Sequence, residues 1–221
     1  MKETLKNMLK RTFVFFWVRN RLNSRRQRKE VSRWEKYGRP CPPPHLIKQE
    51  VLKRVSQECD LRIFVETGTF YGDMVEAMRK HFDHVYSIEL SVPLYEMAKM
   101  RFASDTHVEI IQGDSGVELG KLMGKIDQSG LFWLDGHYSA GVTARGVKDC
   151  PVLEELAHIL TSQRNHVIII DDARCFGNDP GYPTMKELID YVHQLRDDVD
   201  ISVELDSIRI LPQTVKVSEG E

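Results

Sequence analysis

The sequence feature that most constrains the fold is a short apolar run that ends in an acid and leads into two glycines. The run, residues 63–65, is followed by Glu66 and then by Gly68 and Gly72. A continuous apolar run of this kind is typical of a buried parallel strand. The glycines allow a tight turn and a close approach of the backbone to a ligand. Because open α/β sheets bind ligands just beyond the carboxyl ends of their strands, we expect a nucleotide-like cofactor site here.

The glycine spacing narrows the class of cofactor. A dinucleotide-binding turn has the pattern G-x-G-x-x-G, whereas this chain has E-x-G-x-x-x-G. That spacing argues against a nicotinamide-dependent oxidoreductase. The acid suits a positively charged ligand, such as the ammonium and sulfonium of S-adenosylmethionine, and the pattern resembles the first motif of class I S-adenosylmethionine-dependent methyltransferases. The alternative is a strand-to-helix turn with a structural role only.

The rest of the chain alternates strand and helix patterns, as in a series of βαβ units. This alternation predicts a Rossmann-like, doubly wound α/β fold with a mostly parallel seven-stranded sheet and a C-terminal antiparallel hairpin. The predicted strands lie at 63–65, 84–89, 108–115 with its turn, 131–135, 167–172, 201–205 and 208–211. The predicted helices lie at 46–58, 73–82, 116–123, 151–162 and 184–195, with a further helix that Ser91 caps and that runs to 102.

Charge divides the chain into two unequal parts. Residues 1–40 carry a net charge of +10, which leaves −12 for residues 41–221. A chain of 221 residues is long enough for one full core with appendages. We therefore predict a basic, amphipathic, helical N-terminal arm, residues 1–39, and a methyltransferase-like domain, residues 40–221. The proline run at 42–44 predicts an extended linker between them.

The sequence leaves two roles open for the basic arm. Residues 5–22 mix aromatic and aliphatic side chains with basic ones, which suits a helix lying on an anionic membrane surface. The favoured alternative is a helix that packs on its own domain or on a second copy of the chain. The basic run at 25–29 comes with no recognition module, so we expect no specific nucleic-acid partner.

Cysteine usage and hydropathy indicate the compartment. The four cysteines show no C-x-x-C spacing, which is typical of reduced thiols in a cytosolic protein. No apolar run approaches the length of a transmembrane helix, and the run at 13–18 is short for a signal peptide and lacks a cleavage site. We expect a cytoplasmic protein, with membrane association through the arm as an alternative.

Acids stand at or just beyond the ends of five successive predicted strands. In a parallel sheet these ends share one edge, so the acids should converge on the ligand side. Glu89, at the end of the second strand, can accept both hydroxyls of a ribose. Asp114 and Ser115 lie where an adenine edge would be, and Asp114 could accept from its exocyclic amine. With Glu66, Gly68 and Gly72, these positions extend the resemblance to class I methyltransferases over most of the chain.

Three of these acids suggest a metal site. Asp135 ends the fourth predicted strand, and Asp171 and Asp172 end the fifth. Three converging carboxylates repel one another unless a cation or protons neutralise them. Oxygen ligands favour Mg²⁺, with Mn²⁺ or Ca²⁺ as alternatives. The arrangement resembles the metal-dependent catechol and sugar O-methyltransferases, which implies that these three residues are the metal ligands. The alternative is a solvated or hydrogen-bonded acid pair.

The resemblance also points to a catalytic base. The sugar O-methyltransferases carry an acid two residues beyond the first metal ligand, and this chain has His137 there. Histidine can accept a proton near neutral pH, and Tyr138 is the weaker candidate. The loop 139–150 is long enough to close over a substrate.

The sequence therefore predicts an S-adenosylmethionine-dependent O-methyltransferase, assisted by a divalent metal, that acts on a hydroxyl of a sugar, a glycan or a related small molecule. The rival class is a non-catalytic protein that binds the cofactor or serves as a scaffold and works through its basic arm.

Overall fold

The computed structural model describes residues 25–135, 151–179 and 181–215, and within them a single sheet of seven strands. The strand order is β3-β2-β1-β4-β5-β7-β6. Strands β1 to β5 pair in parallel, while β7 is antiparallel to both β5 and β6. The predicted fold class is therefore confirmed. The strands are β1 Ile63–Thr67, β2 His84–Glu89, β3 Val108–Gln112, β4 Gly130–Leu134, β5 Val167–Ile170, β6 Val199–Glu204 and β7 Ser207–Pro212.

The sheet is covered on both faces, which is why its central strands read as continuous apolar runs. All residues of β1, β4 and β5 are buried. Side chains alternate between the faces, so Ile63 and Val65 of β1 join one apolar core and Phe64 joins the other. The carboxyl ends of β1 to β5 consequently lie along one edge, with the reversal of strand order between β1 and β4. In open α/β sheets that reversal is where ligands bind.

The helices follow the predicted pattern with small shifts. Residues 25–36 form helix α1 as far as the structure describes it. Helix α3 ends four residues earlier than predicted, because the chain turns at 79–81. Ser91 is the N-cap residue of α4, but its side chain makes no capping hydrogen bond. The others are α2 His45–Glu58, α3 Asp73–Met78, α4 Val92–Arg101, α5 Ser115–Met123, α6 Val152–Leu160 and α7 Met185–Leu195.

The C-terminal hairpin is only partly an edge feature. Strand β6 lies at the edge, but β7 lies between β5 and β6. Ile208 and Ile210 of β7 are buried and pair with β5, so the second strand of the hairpin is a core strand. The connecting turn falls at Leu205 and Asp206, one residue before the predicted turn, and both have positive φ, as the two-residue hairpin turns that match strand twist require.

The segment predicted as an extended linker packs against the domain. Pro43 and Pro44 are buried, and Trp34 of α1 is 9% exposed and donates its indole N–H to the carbonyl of Pro40 over 2.6 Å. No helix in the described ranges is long and apolar enough to cross a membrane. Most of the predicted basic arm, residues 1–24, lies outside the described residues, so the division at residue 39 and the contacts of the arm stay predictions.

Candidate active site

The turn after β1 is a backbone structure that depends on its glycines. Gly68 has φ 83° and Gly72 has φ 74°, a region that side chains other than glycine rarely adopt. A Cβ on Gly72 would lie 2.7 Å from the ring of Phe102. Phe70 also has a positive φ, of 50°, and its ring is exposed. The predicted importance of the two glycines for the turn is thus explained by geometry.

A buried arginine binds the end of this turn that leads into α3. The guanidinium of Arg101, on α4, is 3% exposed and donates to the carbonyl of Tyr71 over 2.5 Å and to the carboxylate of Asp73 over 2.8 Å. Asp73 is the first residue of α3, so Arg101 joins the turn and the start of the helix to α4. A buried charge without such partners would be strongly destabilising, so these hydrogen bonds are what makes burial of the guanidinium tolerable.

Glu89 links the end of β2 to the same turn. One carboxylate oxygen accepts the backbone N–H of Phe70 over 2.7 Å, and the other accepts that of Ser91 over 2.8 Å. The side chain is 5% exposed. Burial raises the pKa of Glu89, and the backbone hydrogen bonds oppose that shift. The backbone N–H of Leu90 is a third donor to this carboxylate, which has about four acceptor sites in all, so the predicted contact with ribose hydroxyls is compatible with these bonds.

Glu66, predicted to face a ligand ammonium, is buried in a hydroxyl network. It is 2% exposed, and its carboxylate accepts the hydroxyl of Ser87 over 2.6 Å. The hydroxyls of Ser87 and Thr69 lie 2.6 Å apart. Burial raises the pKa of Glu66 to about 8, and the hydrogen bond from Ser87 opposes the rise. The ligand role of Glu66 stays a prediction, while its structural role in the turn is visible.

The raised pKa of Glu66 makes a pH-dependent stability prediction. The folded chain holds a proton on Glu66 up to about pH 8, whereas the unfolded chain releases it near pH 4.5. The unfolded state therefore binds fewer protons between these values, and the free energy of unfolding falls as the pH rises through this window. Glu66→Gln should reduce that fall by a few kcal/mol, since one pKa unit corresponds to about 1.4 kcal/mol. Urea denaturation at about pH 6 and about pH 9 measures it.

The free energy of unfolding of Glu66→Gln should still fall somewhat as the pH rises. Burial also raises the pKa of Glu155 to about 7, so Glu155 contributes its own decline. An identical pH slope in Glu66→Gln and in the unmodified chain would contradict the shifted pKa of Glu66.

Asp114 and Ser115 lie at the start of α5, where the sequence placed an adenine contact. Asp114 is the N-cap residue, and its carboxylate accepts the backbone N–H of Gly116 over 3.0 Å. Glu155 of α6 lies beside them and is 1% exposed. Hydrogen bonding with Ser115 and Thr67 works against the rise in the pKa of Glu155 that burial causes. This part of the sheet edge therefore contains a buried carboxyl group, that of Glu155, which the motif did not include.

The three predicted metal ligands come together as expected. Each of Asp135, Asp171 and Asp172 offers a carboxylate oxygen, and these oxygens lie within 4.8 Å of one another. Asp171 and Asp172 are 5% and 8% exposed. Burial raises the pKa of Asp135, and the negative charge of Asp171 raises it further. We call these three residues the carboxylate cluster.

A lysine from outside the motifs already binds the cluster. The ammonium of Lys48, on α2, donates to both carboxylate oxygens of Asp171 over 2.7 and 2.6 Å. It lies 3.7 Å from an oxygen of Asp172. Burial acts to lower the pKa of Lys48, but the carboxylates, Asp171 first, raise it overall. Lys48 is therefore a charged, resident cation of this site.

The loop after β5 is held by the C-terminal hairpin. Asp172 has a positive φ of 56°, and its backbone N–H donates to the carboxylate of Asp171 over 2.8 Å. Arg174 donates to the carboxylate of Asp172 over 2.7 Å and also to that of Asp206. The backbone N–H of Ala173 donates to the carbonyl of Asp206 over 2.8 Å. The hairpin turn thus supports the conformation that presents Asp171 and Asp172.

Several predicted residues lie outside the described ranges. These are the predicted base His137, the alternative Tyr138, and the loop 139–150 that was expected to cover a substrate. Their roles stay predictions. Of the four cysteines, Cys41, Cys59 and Cys175 are described and form no disulfide.

Lys48 and Glu155 were missed because they belong to no motif, but each left a signal. Lys48 shares one face of α2 with Leu52 and Val55, at spacings of four and seven, and both of these are fully buried. Glu155 follows Val152 by three positions and precedes Ile159 by four, and both of these are buried too. A charged residue on the buried face of a helix needs a hydrogen-bonding or charged partner. This pattern in the sequence therefore indicates a buried polar contact at Lys48 and at Glu155.

The chain has the fold of the class I S-adenosylmethionine-dependent methyltransferases, as the sequence resemblance implied.

Solved structures with this fold include the O-methyltransferase TomG from Streptomyces achromogenes, crystallised with S-adenosylmethionine (16% identity, 84% of this chain and 88% of that one, TM-score 0.53). An O-methyltransferase from Bacillus cereus, in complex with S-adenosylhomocysteine, is similar (13% identity, 84% and 90%, TM-score 0.51). So is the methyltransferase PaMTH1 from Podospora anserina, also bound to S-adenosylhomocysteine (13%, 75% and 78%, TM-score 0.51). Comparison with family models and with curated proteins gave no match.

Proposed function

We propose that this protein is an S-adenosylmethionine-dependent methyltransferase that acts on a hydroxyl group. The observation that carries the proposal is the convergence of the Gly68–Gly72 turn, Glu89 and Asp114 on the sheet edge where the strand order reverses. The carboxylates of Glu89 and Asp114 are hydrogen-bond acceptors, and the cofactor carries matching donors. Glu89 can accept from the ribose hydroxyls and Asp114 from the adenine amine. When bound, the cofactor supplies the methyl group on its sulfonium.

Oxygen as the acceptor is supported by the second half of the site. The carboxylate cluster lies at the ends of β4 and β5, next to the proposed cofactor end, and solved structures that share the fold are named O-methyltransferases. Methyl transfer by in-line displacement depends mainly on holding the acceptor oxygen and the sulfonium carbon in line. We propose a sugar or glycan hydroxyl as the acceptor, the class that the sequence resemblance favoured.

The donor set of the cluster fits a divalent metal. Three carboxylates with oxygens within 4.8 Å of one another match the ligand preference of Mg²⁺, and Mn²⁺ or Ca²⁺ use the same ligands. The ammonium of Lys48 already bound there supports the cluster as a place for positive charge. We therefore propose Asp135, Asp171 and Asp172 as metal ligands. A metal bound there would polarise a substrate hydroxyl.

Removal of the hydroxyl proton is assigned to His137. Its position in the sequence, two residues beyond Asp135, supports this, because the sugar O-methyltransferases that the chain resembles carry an acid there that acts as the base. A neutral imidazole can take up a proton near pH 7.

The proposed function is tested in two measurements. Equilibrium dialysis with labelled S-adenosylmethionine should show binding, and absence of binding at millimolar concentrations would contradict the cofactor assignment and favour a scaffold role. Incubation with a panel of glycans should then give a mass increase of one methyl group on an acceptor. The same reaction with a chelator tests the metal, and we expect the chelator to abolish the mass increase.

A further inference from the structure

We propose that Lys48 competes with the divalent cation for Asp171 and so sets the metal concentration at which the carboxylate cluster is loaded. The inference rests on the proposed metal site and concerns a residue that no part of the motif contains. Lys48 lies 123 positions before Asp171 in the chain, and α2 brings the two together.

Both carboxylate oxygens of Asp171 already accept hydrogen bonds. Its Oδ1 atom accepts from the Lys48 ammonium over 2.7 Å and from the backbone N–H of Asp172 over 2.8 Å. Its Oδ2 atom accepts from the same ammonium over 2.6 Å. A carboxylate oxygen has about two acceptor sites. Oδ2 is therefore the atom of Asp171 with room for another ligand, and the ammonium is already bound to it.

A divalent metal ion bound to Oδ2 of Asp171 would be repelled by the Lys48 ammonium. A Mg²⁺ ion binds oxygen at about 2.0–2.1 Å. Sharing Oδ2 with an ammonium 2.6 Å away from that oxygen would bring a double and a single positive charge within a few ångströms of each other. Both would lie in a site where Asp171 and Asp172 are nearly buried, so solvent screening is weak. The ammonium must weaken metal binding or move away.

The side chain of Lys48 can move while its helix stays in place. Helix α2 is anchored in the domain by Leu52 and Val55, which are fully buried. The ammonium, by contrast, is at the end of a flexible four-carbon stem, and the side chain is 12% exposed. The ammonium can thus leave Asp171 by side-chain rotation while α2 stays in place. Metal-free and metal-bound sites would then both have a neutralised Asp171.

The experiment measures metal binding directly, with Mn²⁺ as the probe and the full chain as the protein. Free Mn²⁺ is followed by electron paramagnetic resonance during titration of the unmodified chain, Lys48→Met and Lys48→Arg. Methionine keeps an unbranched apolar stem and removes the charge, whereas arginine keeps the charge. Because the repulsion is removed, we expect Lys48→Met to bind Mn²⁺ at least about tenfold more tightly, and Lys48→Arg to bind it no more tightly than the unmodified chain. Lys53→Met, on the same helix and outside the cluster, serves as the matched control.

Thermal unfolding provides a second readout should Lys48→Met fold poorly without metal. Removal of the ammonium leaves Asp171 uncompensated, so Mn²⁺ should raise the melting temperature of Lys48→Met more than that of the unmodified chain. Equal Mn²⁺ affinity in both proteins would overturn the competition and leave the metal site standing. Absence of Mn²⁺ binding in both would overturn the metal site and the inference with it. Binding of labelled cofactor, measured on the same samples, reports separately on the proposed methyltransferase.

Discussion

Asp171→Asn should reduce methyl transfer by on the order of 10²-fold or more while the affinity for S-adenosylhomocysteine stays within about threefold of the unmodified value. Asp171 is at the centre of the carboxylate cluster, where it binds Lys48 and the backbone N–H of Asp172. The amide cannot offer two anionic oxygens to a cation. The Gly68–Gly72 turn, proposed to bind the cofactor, is held by other residues, which include Glu89 and Arg101 and do not include Asp171. The loss should therefore appear in turnover and leave cofactor binding nearly unchanged.

The measurement is a steady-state methylation assay together with calorimetric titration of S-adenosylhomocysteine. Asparagine is preferred to alanine because its carbonyl oxygen still accepts from Lys48, whereas breaking a buried pair outright costs about 3–5 kcal/mol. Asp190→Asn is the matched control. Asp190 is exposed on α7 and pairs with Lys186, and exposed ion pairs of this kind contribute little to stability. Full metal-dependent turnover in Asp171→Asn would show that the metal site has been assigned to the wrong residues.

The sheet and its ligand edge were predictable from the sequence because both depend on local patterns. Continuous apolar runs marked β1, β4 and β5, and these strands are buried on both faces. An acid at the end of such a run must lie at the carboxyl edge, wherever the strand is placed in the sheet. That Asp135 lies close to Asp171 and Asp172 also requires β4 and β5 to be neighbours, as they are, and the resemblance to the metal-dependent O-methyltransferases implied this.

The partners of these acids were not predictable in the same way. The carboxylate of Glu66 accepts from Ser87 on the neighbouring strand, a contact that the sequence did not indicate. Lys48 lies 123 residues from Asp171, and Asp206 reaches the loop after β5 only because β7 pairs with β5. Contacts of this kind depend on how the helices and the hairpin pack on the sheet. A local pattern gives the type of residue at the edge, and tertiary packing decides what neutralises it.

Glu89→Gln should raise the dissociation constant of S-adenosylhomocysteine by at least about tenfold and lower the free energy of unfolding by about 1–3 kcal/mol. Both oxygens of Glu89 accept backbone N–H groups, from Phe70 over 2.7 Å and from Ser91 over 2.8 Å. In glutamine one of these oxygens becomes an amide NH₂, which places a donor against a donor. One of the two N–H groups then loses its partner, and the surviving hydrogen bond loses its charge assistance.

The affinity for S-adenosylhomocysteine should fall for two reasons, both of which follow from loss of the Glu89 carboxylate. If the contact with Phe70 is lost, the turn between β1 and α3 loses its link to the end of β2, and Phe70 is the residue that already holds a positive φ there. The proposed ribose contact loses the negative charge that would accept two hydroxyls. Calorimetric titration measures the affinity and urea denaturation the stability. Glu96→Gln, the same chemical change at an exposed position of α4, is the control.

The two readouts separate support of the turn from contact with the ligand. A lower stability with unchanged affinity would show that Glu89 only holds the turn, and the ribose assignment would be wrong. Reduced affinity for adenosine as well as for S-adenosylhomocysteine would place the lost interaction at the nucleoside, because adenosine lacks the methionine end. We expect this second result, since Glu89 ends the strand next to the Gly68–Gly72 turn and Asp114 follows the strand beyond it.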